Sequence, residues 1–141
     1  MRRSERGAAA VEFVILVPAL LLIVAVVAGG ARVWFARATV AQVADSSARA
    51  ASLARDAASA QHDARQVADL DLAAAELRCG AGPGVQVDTA GFAVPVGQPA
   101  RVGVRVACDV PLGDLLLPGL PGVLAVDASA TSTLDRYRGR K

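Results

Sequence analysis

Nineteen consecutive residues without a charge, Phe13 to Ala31, constrain this chain more than any other feature. As a helix rising about 1.5 Å per residue, the run is about 28 Å long, close to the hydrocarbon thickness of a bilayer. A buried core helix is rarely this long and apolar all round. Pro18 interrupts it. In water that would cost about 3 kcal/mol, whereas membrane helices accommodate proline with a kink. Gly29 and Gly30 predict a loosened helix near the far end, and Trp34 and Phe35 follow where the far interface would lie.

The flanks suggest an orientation. Arg2, Arg3 and Arg6 precede the run, so that end is expected to stay cytoplasmic, although Arg32 and Arg37 on the other side weaken the bias. The rest of the chain would then be extracytoplasmic. A secretory signal peptide is the rival reading. The basic start fits it, but the apolar run is long for such a segment, and no convincing small-residue cleavage site follows. The pair Arg2-Arg3 also lacks the apolar residues expected after a twin-arginine signal.

The formal charge is +2 over 141 residues. The first seven residues account for all of it, leaving 12 basic and 12 acidic side chains in the remainder. A second basic cluster, Arg136, Arg138, Arg140 and Lys141, lies at the extreme C-terminus. No basic stripe interleaved with aromatics lies between them, so no nucleic-acid partner is expected.

One carboxylate stands at the entrance of the apolar run. Glu12 comes after a basic leader, Gly7 and four small or apolar residues, and Phe13 follows it. The bland account is an interfacial acid near a positive helix N-terminus. The arrangement, however, resembles a type IV prepilin leader, in which a prepilin peptidase cuts before the hydrophobic helix. The wider stretch "RGAAAVEFVILVPALLLIV" resembles the start of TadE-family proteins of the tight-adherence (Tad/Flp) pilus system, with Arg6, Gly7, Val11, Glu12, Phe13 and Pro18 at matching positions. The likeness is at motif level over roughly the first 50 residues. Beyond them only the layout is similar. Glu12-Phe13 favours TadE over a companion pseudopilin of the TadF or TadG type.

The resemblance implies a membrane pseudopilin or minor pilin of the bacterial cytoplasmic membrane, cut between Gly7 and Ala8. Its partners would be the peptidase and other pilins or pseudopilins of the apparatus, with the pilus or cell surface as a further destination. Glu12 becomes the fifth residue of the trimmed chain. Glycine before the cut lets the peptidase approach the backbone closely. The new amine at Ala8 and the Glu12 carboxylate are both costly near hydrocarbon, and pairing lowers that cost. In the family the acid is thought to pair with the amine of a neighbouring subunit, which would make Glu12 a registry device.

Residues 36–60 are rich in Ala and Arg, without Pro or Gly. Val33, Val40, Val43, Ser47, Ala50, Ala51, Ala54 and Ala58 recur at helical spacing, predicting a stem that continues the membrane helix. Val67, Leu70, Ala74 and Leu77 predict a second helix over Asp63–Arg78, after a bend around Ala60–Asp63. "CGAGPG" at Cys79–Gly84 ends it. The period then becomes two. "VQVDT" from Val85 and "FAVPV" from Phe92 read as strands, with "GQPA" from Gly97 as a turn. In "RVGVRVACDV" Val102, Val104, Val106, Cys108 and Val110 share one face. Leu115, Leu116 and Leu117 lie in a loop, where core packing is favoured over an exposed contact patch. Val123 begins a final strand, and the tail should fray.

There are two cysteines, Cys79 and Cys108. In a domain carried across a membrane a disulfide is expected, the alternative being two buried thiols. The bridge would pin the end of the second helix to the sheet.

The fold expected is α+β and pilin-like: a long N-terminal transmembrane helix extending into an amphipathic stem, with a small antiparallel β-sheet domain. The divisions are a leader at 1–7, the transmembrane helix at 8–31, stem and second helix at 32–78, β domain at 79–134 and basic tail at 135–141. His62 reads as a solvated surface residue. Asp69 and Asp71 diverge on a helix, and no phosphate loop, dinucleotide fingerprint or nucleophile elbow is present. No enzyme activity, cofactor, metal or small-molecule substrate is expected. An uncleaved single-pass anchor presenting a binding domain is the alternative function, and a secreted binding domain is a third.

Overall fold

The computed structural model of the protein describes residues 5–111, 122–137 and 139, and side chains from Phe13 onward. Helix α1 runs from Glu5 to Leu53 without a break, 49 residues and about 74 Å. It passes through Pro18 and through Gly29 and Gly30, so the expected loosening at the glycines does not interrupt it. The membrane run and the stem are one rod.

The chain reverses at Ala54–Asp56 rather than at Ala60–Asp63, and α2 spans Ala57–Ala74 rather than Asp63–Arg78. The cause of the earlier start is a cap. The Asp56 carboxylate accepts from the Ser59 backbone N–H at 2.8 Å and from the Ser59 hydroxyl at 2.8 Å. These bonds satisfy an otherwise orphan donor and hold the Asp56 carboxyl below its ordinary range, the backbone bond contributing most. At the other end Leu77 N–H reaches Leu72 O and Glu76 N–H reaches Ala73 O, a Schellman closure. Its left-handed position is held by Glu76 at φ 54° instead of the usual glycine.

Three strands form an antiparallel sheet in the order β1-β2-β3, with β1 at Gly84–Asp88, β2 at Ala100–Pro111 and β3 at Val123–Leu134. "FAVPV" is not a strand: Phe92 and Ala93 end a short 3-10 helix at Ala90–Ala93, and residues 94–96 lead irregularly into the turn. Proline cannot donate to a ladder, and the chain here packs its backbone on β2. A Cβ at Gly91 would lie 2.0 Å from the Arg101 carbonyl oxygen, so only glycine fits. The expected turn is present, with Gly97 at φ 94°.

Both helices cover one face of the sheet, α1 over β2 and β3 and α2 beside it toward β1. The period-two reading of β2 holds: Val102, Val104, Val106, Cys108 and Val110 are all buried. Across the ladder Cys108 faces Val126, Val106 faces Ala128 and Val104 faces Ala130. The opposite face is polar and wet. Its Arg105–Asp127 ion pair, 2.8 Å long with both side chains more than half exposed, adds little stability.

The helix–helix contact departs from expectation. On α2 the buried residues are Ala60, Ala64, Ala68 and Leu72. Leu70, assigned to the inner face by spacing, is 62% exposed, and Ala74 is exposed too. The i, i+4 row of alanines lets α2 lie close to α1, whose buried residues against α2 and the sheet together are Ala36, Val40, Val43, Ala44, Ser47, Ala48 and Ala51. The Leu115–Leu117 loop falls outside the described residues. The architecture is the expected α+β arrangement.

Candidate functional site

The site singled out by sequence sits at the start of α1. Gly7, Ala8 and Glu12 all fall within the helical backbone of α1. On a continuous helix, Ala8 and Glu12 are four residues apart, one turn, and therefore occupy the same face. Positions 8 and 12 are thus neighbours along the helix by backbone geometry alone. Phe13 is the first described side chain and is 69% exposed.

Beyond Phe13 the helix is a bare apolar rod. Ile15, Leu16, Leu20, Leu21, Leu22, Ile23, Val24, Val26 and Val27 are all exposed. A continuous apolar surface of this extent is not sustained in water, and among the described residues α1 alone is long and apolar enough to cross a membrane. Trp34 and Phe35 stand at its far end, edge to face with ring centroids 5.2 Å apart, both largely exposed.

Above this level the same helix is clothed by the head. The Ser46 hydroxyl on α1 donates to the Asp71 carboxylate of α2, tying the helices together by side chain as well as by packing, with the Val43 carbonyl 3.1 Å away as the alternative acceptor for its one proton. The Cys79–Cys108 disulfide is formed, with Cα atoms 5.0 Å apart. It links the segment after α2 to β2, and the alternative of two buried thiols is set aside. Beside it, Gly80 N–H donates to the Asp109 carbonyl at 2.8 Å and adds a backbone bond to the same junction. His62 is exposed, and no metal-binding group of His, Cys, Asp and Glu occurs among the described residues.

A groove of about 450 Å³ opens between α1, the turn after α2 and the end of β2. Sequence reasoning misses it, because its walls come from three separate segments. The single sequence signal for it is Arg32, Phe35, Ala36 and Thr39 at i, i+3, i+4 and i+7, one face of α1.

Residues 7–49 match the family model described as TadE-like protein. The likeness carried by Gly7, Val11, Glu12, Phe13 and Pro18 therefore holds over that segment, which covers the bare rod and most of the stem. No curated protein and no solved structure matches the chain. The TadE-like segment and the bare helix together associate the chain with a membrane.

Proposed function

We propose that this chain, TadE-like over residues 7–49, is a pseudopilin or minor pilin that takes part in assembling a Tad (Flp) pilus. It is anchored by α1 with its start in the cytoplasm and its disulfide-bonded head outside. A prepilin peptidase trims it after Gly7. It acts as a substrate and building piece rather than as an enzyme.

The observation that carries this reading is where the family match lies. It begins at Gly7, the residue before the proposed cut, and takes in Glu12 and the uncharged run that starts at Phe13. A simple anchor needs the rod but not the acid. A stacking helix needs both, because an ammonium and a carboxylate near hydrocarbon must be matched between subunits.

Glu12→Gln tests the reading. The variant should insert into the membrane as well as the parent does, since it removes a charge. Its recovery in complexes with other pilins, or in pili, should fall sharply. Normal incorporation would reduce Glu12 to an interfacial charge and favour the uncleaved anchor.

A further inference from the structure

The bond proposed for cleavage lies inside a helix. Among the described residues α1 begins at Glu5, so Gly7–Ala8 falls in its first turn. In an α-helix the carbonyl of Gly7 accepts from the Val11 N–H. Hydrolysis must reach that carbonyl carbon. Water adds to it and the C–N bond to Ala8 breaks. The oxygen stays in the Gly7 carboxylate, and a proton passes to the Ala8 amine. Helical dihedrals keep this carbonyl bonded and wrapped by the next turn. Proteolysis of such a segment follows the population of its locally opened form when opening is fast.

A change of helix propensity falls at the same bond. Gly7 is the weakest helix former after proline, and Ala8, Ala9 and Ala10 are the strongest. First-turn N–H groups have no acceptor within the helix, so the turn that holds Gly7 is the cheapest to open. Residues 8–17 contain no Gly or Pro, so no second weak point follows before Pro18.

We propose that the leader is cut from a frayed form of α1, and that Gly7 is a positioning residue whose low helix propensity opens the first turn to the prepilin peptidase. The cut removes the weak turn and leaves a helix that starts on three alanines. This rests on the prepilin reading above and adds to it how the bond becomes accessible.

The test uses the full chain in detergent micelles with the prepilin peptidase. Loss of the leader, followed by mass spectrometry, gives kcat/KM. In micelles without peptidase, amide exchange at Val11 reads the opening. Position 9 separates opening from side-chain fit. Size rises from Gly to Ala to Ser, whereas helix propensity falls from Ala to Ser to Gly. Ala9→Gly should raise kcat/KM about fivefold, and Ala9→Ser about twofold. Gly7→Ala should lower it about fivefold, and adding Ala9→Gly to that variant should restore the parent's value. Exchange at Val11 should move by the same factors. Ala19→Gly, beyond Pro18, should leave both readouts unchanged. Cleavage of Ala9→Ser slower than the parent, following size, would overturn the proposal, as would raised exchange with an unmoved kcat/KM. The premises separate in the parent: a chain left uncut at Gly7 refutes the prepilin reading, whereas a chain cut there at a rate indifferent to position 9 refutes only the opening.

Discussion

The two halves of α1 share one backbone and opposite surroundings. From Phe13 to Ala31 the helix is apolar all round and exposed, save at Ala25 and Gly29. From Ala36 to Ala51 one stripe is buried against α2 and the sheet, while Arg37, Asp45 and Arg49 face outward. The residues used differ accordingly. The lower half presents bulky Leu, Ile and Val, which suit fluid lipid that adapts to any shape. The upper half buries mainly Ala, with Val40 and Val43, because a fixed neighbour rewards close approach. Helix formation alone does not separate a membrane anchor from a packing stem; the size and distribution of side chains do.

The largest effect expected concerns what holds the upper half in place. The disulfide closes a loop with 28 residues between its cysteines. Cys79→Ser should destabilise the head by about 3–4 kcal/mol in the chain-entropy model, read as a lower urea midpoint in detergent. Membrane extraction of the variant should be unchanged, because the lower half does not depend on the bridge. Loss of both together would mean that the halves are not independent.

A paired substitution sharpens the contrast. Ala44 is fully buried in the stem, and Ala44→Leu should overpack the seam at a cost of about 1–3 kcal/mol. Ala28 is exposed in the lower half, and Ala28→Leu should leave both the melt of the head and membrane insertion unchanged. Equal effects from the two would erase the distinction.

The smallest effect is a pH dependence at the top of the stem. The Asp56 carboxyl is lowered from 3.8 in the folded head by its bonds to Ser59. Its contribution is therefore complete above about pH 3.8, and it is lost as pH falls through the lowered folded value. Asp56→Asn, which can still cap but does not titrate there, should flatten the acid limb of the stability curve. An unchanged limb would remove Asp56 as its source.

Legibility in the sequence divides along the same line. The apolar rod is legible because nineteen uncharged residues around a helix are long and apolar enough to cross a membrane. Strand β2 is legible because Val102 to Val110 alternate with small or charged partners, and the bridge is expected from two cysteines in a domain carried across a membrane. The inner face of α2 is easily misread, because Val67 and Leu70 outweigh alanines in a hydrophobic count. Burial there is decided by closeness to α1, which only the tertiary contact reveals. The start of α2 is written in Asp56 and Ser59, a capping pair that hydrophobic periodicity passes over. The "FAVPV" strand fails where Gly91 meets the Arg101 carbonyl, a contact between segments that no local pattern contains. The basal groove is illegible for the same reason, since Arg32, Glu76 and Arg78 meet only after folding.

A single peptide bond, Gly7–Ala8, decides the function. Intact mass and N-terminal sequencing of the membrane-extracted chain, made in cells that hold the prepilin peptidase, should give Ala8 as the first residue. A start at Met1 or Arg2 would contradict a prepilin role and leave an uncleaved anchor. A start beyond about Gly30 would contradict it equally and leave a secreted domain.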